Sequence, residues 1–211
     1  MTLPWGEFAA VWLFLAANIA TPGPNVLNTV ALALGSGRAA GMGSATGVGL
    51  GIGLWCLGMV LGVAAVIAVL PGAQAVLTAA AVLLLVWFAS RYLRAAWRGF
   101  RARGVAAPQG QDGAGFATGF RRALAVNAVN PKALTTWLAV LGMFPIEAAR
   151  AGDVLILCAG ACATSFAIHG IYVILFSTAR AARIYLRAGW VLQALAGWLF
   201  AGFALRLVAG G

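Results

Sequence analysis

The chain has 211 residues, of which 63% are hydrophobic and 9% charged, and its mean hydropathy is +0.97. A soluble domain carries about 25% charged residues, so this composition excludes a soluble enzyme and a disordered protein alike. The net charge of +10 comes from 14 Lys+Arg against 4 Asp+Glu, but the basic residues gather between long apolar runs. That is the pattern of membrane topology and an anionic lipid surface; no basic-aromatic module for nucleic acid is present.

The first apolar run, Phe8 to Ala20, is interrupted by Thr21-Pro22-Gly23-Pro24-Asn25 and resumes from Val26 to Leu34. Glu7 stands where a secretory signal would be basic, so the run reads as a retained first span. The second span, about 39–70, is longer than the ~20 residues a bilayer needs. Its glycines recur every four residues (Gly43, Gly47, Gly51; Gly49, Gly53; Gly58, Gly62), a spacing that lets helices approach closely. After Pro71-Gly72 comes a third span, 74–92, whose end carries Arg91, Arg94, Arg98 and Arg101. At the helical period these four fall within an arc of about 80°. A Gly/Gln/Ala-rich stretch then predicts a linker, 104–118. The fourth span, 119–144, holds Asn127, Asn130, Pro131 and Lys132 in its first half. A polar turn, 145–153, leads to a fifth span, 154–178. Arg180, Arg183 and Arg187 repeat the basic stripe before a sixth span, 190–208.

The expected fold is therefore all-α and integral to the membrane: one transmembrane domain, 1–211, of six spans. Its halves are 1–103 and 119–211, joined by a cytoplasmic linker. Twelve of the fourteen basic residues fall at or near the 1–2, 3–4 and 5–6 connections, with Arg150 and Arg206 on the other side. The positive-inside rule then places both termini outside.

The first span of each half is broken by proline. Pro22 and Pro24 lack N–H groups and would leave the carbonyls of Asn18 and Ala20 without helical donors; Pro131 does the same to Asn127. Gly23 is expected to let the chain turn. Pro24 suits the first position of a new half-helix, and Asn130 suits the cap before Pro131. Three spans per half make the halves inverted, and paired interruptions in corresponding helices mark a transporter's binding site. Freed carbonyls suit an ammonium group, while half-helix N-termini and Lys132 suit a carboxylate. Together they suit a zwitterion.

These motifs resemble those of the LysE/RhtB family of amino-acid exporters. The likeness runs through Thr21-Pro22-Gly23-Pro24-Asn25, Gly35 to Arg38, Ala40-Gly41 and the glycine-rich second span. It continues through Tyr92-Leu93 with Trp97-Arg98, Phe120 to Asn127, Asn130-Pro131-Lys132, Phe144-Pro145 and Gly197 to Leu207. The resemblance implies a bacterial inner-membrane exporter of amino acids or related metabolites, driven by an ion gradient. It carries Pro22, Gly23, Pro24, Asn25, Asn130, Pro131 and Lys132 into the substrate site, which Thr21 and Asn127 adjoin. Ser90-Arg91 departs from the small residues usual before the Tyr-Leu pair. The second span also lacks the acidic or histidine residue of many members.

Two ionisable groups are candidates for proton coupling. Lys132 could bind the substrate or titrate, or it could snorkel to the interface. His169, the one histidine, titrates in the useful range, or it could serve as an interhelical hydrogen-bond partner. Two other classes compete. A membrane thiol-relay oxidoreductase would use Cys56, Cys158 and Cys162, which lie away from both breaks; the bland reading is small packing residues. A metal-ion exporter would need clustered ligands in the spans. No catalytic residue, cofactor or resident metal is expected. The expected partners are a small amino-acid-like substrate and the lipid bilayer, and homo-oligomerisation is left open.

Overall fold

The computed structural model describes residues 3–70, 72–102, 113–176 and 178–209, so most of the 104–118 linker lies outside the described residues. Those residues form α-helices α1 (Trp5–Ala20), α2 (Pro24–Gly35), α3 (Gly37–Val69), α4 (Ala73–Ala102), α5 (Phe116–Ala128), α6 (Pro131–Met143), α7 (Ala151–Leu175) and α8 (Ala179–Ala209), with one short 3₁₀ turn at Ile146–Ala148.

Four of these helices, α3, α4, α7 and α8, are long and apolar enough to cross a bilayer. The pair α1 and α2 passes the same test together and is bent by 56° at its break. With 13 residues each, α5 and α6 are too short to cross alone. Leu61, Leu83, Leu155, Ile174, Trp198 and Leu205 are exposed on the outside, as lipid-facing residues should be. Arg180, Arg183 and Arg187 do not precede the last span as a separate segment; they lie on α8, which runs unbroken from residue 179.

Both prolines do what their chemistry dictates. Pro24 is the first residue of α2, and Pro131 the first of α6, where a missing N–H costs nothing. Asn130 caps α6, its Oδ1 accepting the Lys132 N–H at 3.0 Å. Gly23 differs from expectation. Its φ of −165° and ψ of 178° are extended backbone open to any residue, and the change of direction comes from ending one helix and starting another. A positive φ is found instead at Gly37 (82°), which turns the chain from α2 into α3.

Packing centres on α3, which lies against both α5 and α7, while α4 packs on α8 and α6. The glycine seam explains the first of these contacts. A Cβ on Gly43 or Gly47 would strike the backbone carbonyls of Phe116 and Phe120, and one on Gly51 would strike the Asn127 carboxamide. Gly49 and Gly53 face Phe166 and Cys162 of α7. Gly58 and Gly62 have the same spacing but meet nothing within 4 Å. A core of aromatic rings joins α1, α4 and α8: Phe14, Phe88 and Tyr92 lie 5.0, 5.8 and 5.4 Å from Phe200. At one end Asp153 ties the chain together, accepting the N–H groups of Leu3 (3.4 Å) and Arg150 (3.0 Å).

Candidate functional site

The two breaks meet. Each freed carbonyl takes a side-chain donor from the other half of the chain. Asn18 O, freed by Pro22, accepts Lys132 Nζ at 2.7 Å, and Ala20 O, freed by Pro24, accepts the Tyr172 hydroxyl at 2.7 Å. In the reverse direction, Asn127 O, freed by Pro131, accepts Trp55 Nε1 at 3.1 Å. Asn25 Nδ2 donates to Asn127 Oδ1 at 2.8 Å, joining the breaks directly. This pairing of buried polar groups is what makes helix breaks tolerable at membrane depth.

Lys132 anchors a closed ring of hydrogen bonds. Its ammonium also donates to Thr21 Oγ1 at 3.0 Å. Thr21 Oγ1 lies 2.8 Å from the Tyr92 hydroxyl, which donates to Asn18 Oδ1 at 2.8 Å. Asn18 Nδ2 donates to Thr136 Oγ1, and Thr136 returns the chain to the Lys132 carbonyl. The Tyr92 ring lies under the ammonium, 5.6 Å from centroid to Nζ. Of the two alternatives for Lys132, the structure has the inward one: the side chain points to the first break.

A narrow cavity opens among these residues. About 460 Å³ of unfilled space, mouth included, is lined by Thr21, Gly23, Pro24, Asn25, Asn127, Asn130, Lys132 and His169, with Asn18, Thr136 and Trp137 beside them. The closed part has room for a few water molecules. Three of its lining residues carry a buried polar atom with no protein partner among the described residues: Asn25 Oδ1, Trp137 Nε1 and His169 Nε2. His169 is held by its other ring nitrogen, 2.9 Å from Ser165 O. Buried polar atoms are rarely left unpaired, so three around one cavity leave it with free hydrogen-bonding capacity for water or another polar guest.

Eight of the ten expected substrate-site and coupling residues line this one cavity: Thr21, Gly23, Pro24, Asn25, Asn127, Asn130, Lys132 and His169. Pro22 and Pro131 instead line an adjoining, wider one, which shares Gly23, Pro24, Asn130 and Lys132 with it. Sequence reasoning missed Asn18 and Thr136 as side chains, Tyr92 as a hydroxyl, and Trp55 and Tyr172 as carbonyl caps. Asn18 and Thr136 carried a signal, a polar side chain inside an apolar run; Tyr92 stood in the Tyr92-Leu93 pair of the family likeness, and Trp55 and Tyr172 carried none beyond an aromatic in a helix. Cys56, Cys158 and Cys162 are free thiols and line neither cavity. Among the described residues, no group of three His, Cys, Asp or Glu side chains is placed to hold a metal ion.

Apolar helices long enough to cross a bilayer, interrupted ones that expose backbone polar groups to a shared cavity, and a cation held there define a helical membrane transporter. The chain belongs to the LysE type translocator family, whose model matches residues 16–211. It is accordingly a multi-pass membrane protein that moves small molecules across the bilayer. No curated protein and no solved structure matches it.

Proposed function

We propose that this translocator is a secondary active exporter of amino acids or related small zwitterions, working by alternating access across a bacterial cytoplasmic membrane. The observation that carries the reading is the Lys132 ammonium, supplied by one half of the chain and bound to the carbonyl that the break in the other half exposes. On this reading the protein holds its own cation where a substrate's ammonium group would bind. An arriving amino acid exchanges partners with it. The substrate ammonium takes the Asn18 carbonyl and Thr21 hydroxyl, and its carboxylate takes the released Lys132. Asn25 and the α2 and α6 N-termini complete the carboxylate's surroundings. The exchange keeps every charged group hydrogen-bonded, as a low-dielectric site requires.

The fold reading that goes with this is six spans in two inverted halves, with α1–α2 and α5–α6 as the broken first spans. Its support is that α3 packs on α7 and α4 on α8, the pairings that an internal twofold maps onto themselves. The basic connections then face the cytoplasm and both termini face outward. Lys132 and His169, in one cavity, are the groups available for proton coupling.

The test is export from cells loaded with amino acids. Asn25→Ala and Lys132→Ala should each abolish it while membrane insertion is unchanged. Wild-type export by both variants would refute the site.

A further inference from the structure

The wider cavity beside Lys132 has a one-sided charge. About 920 Å³ of space, mouth included, lies between the breaks and α4, and Arg91 and Arg98 line it together with Lys132. Among the described residues no acidic side chain lines it or the inner cavity. The acidic side chains that are described stand elsewhere: Glu7 pairs with Arg206 at 3.5 Å, Glu147 is in the 3₁₀ turn, and Asp153 is bound by backbone N–H groups. Glu7 shares a cavity with Thr78, also on α4. Arg91 is 13 residues further along that helix, roughly 20 Å away at the helical rise.

The stripe on α4 is divided in its use. Arg94 turns back to Ser90, its Nε 3.1 Å from the carbonyl, and Arg101 lies over Trp97 at 4.9 Å. Arg91 lies over Trp87, itself a wall of the cavity, at 5.2 Å. Arg91 and Arg98 therefore line the approach to Lys132, and Arg94 and Arg101 do not. A cleft of one sign between low-dielectric walls focuses its field on whatever enters.

We propose that this wider cavity is an entry vestibule for carboxylate-bearing substrates that are neutral or anionic overall, and that Arg91 and Arg98 are the residues that turn cationic amino acids away. The proposal rests on the exporter reading for its direction of transport, but the vestibule's charge preference can be measured apart from transport. A neutral amino acid presents its carboxylate to the arginines and passes it inward to Lys132. A second ammonium group, as on lysine, meets three cations and no counter-charge.

The experiment is equilibrium binding of the twenty radiolabelled proteinogenic amino acids to the full chain in nanodiscs at low salt, followed by export of the same panel from proteoliposomes. The expected best ligand is neutral or acidic, with lysine and arginine at least about tenfold weaker. In Arg91→Gln/Arg98→Gln the best ligand should weaken by about tenfold at low salt and lose most of its salt dependence. Arg94→Gln/Arg101→Gln removes the same charge outside the vestibule and should leave its affinity unchanged. Lysine binding within about threefold of the best ligand would overturn the proposal, as would equal behaviour of the two double variants or no binding at all. Selective carboxylate binding without export would refute the exporter reading and leave the vestibule standing. Efficient lysine export would do the reverse.

Discussion

Two chemically identical substitutions on α3 should have opposite effects. A methyl group on Gly51 lands on the Asn127 carboxamide, 3.0 Å from its Cγ and closer still to Nδ2. Either the carboxamide turns and gives up its 2.8 Å bond from Asn25, or α3 and α5 move apart. The lost hydrogen bond costs about 1 kcal/mol and overpacking about 1–3 kcal/mol. At Gly58 the same methyl meets nothing within 4 Å. Alanine favours a helix interior over glycine by roughly 0.5–1 kcal/mol, but that gain is common to both sites. The difference between Gly51→Ala and Gly58→Ala is therefore the packing cost alone, about 1–3 kcal/mol. Unfolding of the purified variants in detergent measures it, and export assays should follow the same order, because Gly51 abuts the link between the breaks. Equal unfolding midpoints and equal export would refute the account of the seam.

Tyr92→Phe keeps the ring against Phe200 but removes the hydroxyl between Thr21 and Asn18. It should lower stability by about 1–2 kcal/mol and slow export, as read by unfolding and by efflux from loaded cells. Gly37→Ala forces a side chain into a φ of +82° at the α2–α3 turn. About 1–2 kcal/mol should be lost in the unfolding assay, with substrate affinity unchanged, since Gly37 lines neither cavity.

The breaks were legible in the sequence because proline's defect is local. Pro22, Pro24 and Pro131 each free a carbonyl four residues back whatever the rest of the chain does. What caps those carbonyls was not legible, because it depends on how each helix is rotated about its axis and on which helix lies opposite. Trp55 and Tyr172 are aromatics in apolar helices, and no local pattern separates them from lipid-facing Trp198. The glycines make the same point. Gly51 and Gly58 belong to runs of identical spacing, yet one is sealed against α5 and the other is bare, since α5 is only 13 residues long and ends before Gly58 is reached. Gly23 misled in the other direction: a residue able to take any conformation adopts one open to all of them.

The exchange of caps between the halves bears on how such a protein could move. Lys132 and Tyr172 seal the break between α1 and α2, and Trp55 seals the break between α5 and α6. Each half also keeps donors of its own, the Thr21 hydroxyl on Asn18 O at 2.6 Å and the Asn130 N–H on Asn127 O at 3.3 Å, but the donors from the other half are present only while the two are docked in this arrangement. A shift of one half against the other would part these cross-half donors from their acceptors on both sides at once, and each lost hydrogen bond costs about 1 kcal/mol, more for the charged Lys132. A substrate whose ammonium and carboxylate replace the parted groups removes that penalty. On the alternating-access reading, this is how loading would be coupled to movement: the empty site keeps its bonds only while the halves are docked, and the filled site no longer needs them. The Asn25–Asn127 contact sits at the centre of that exchange, belonging to both breaks and donated across the halves. Its loss should therefore impair transport more than folding, the opposite balance to the one expected at Gly37.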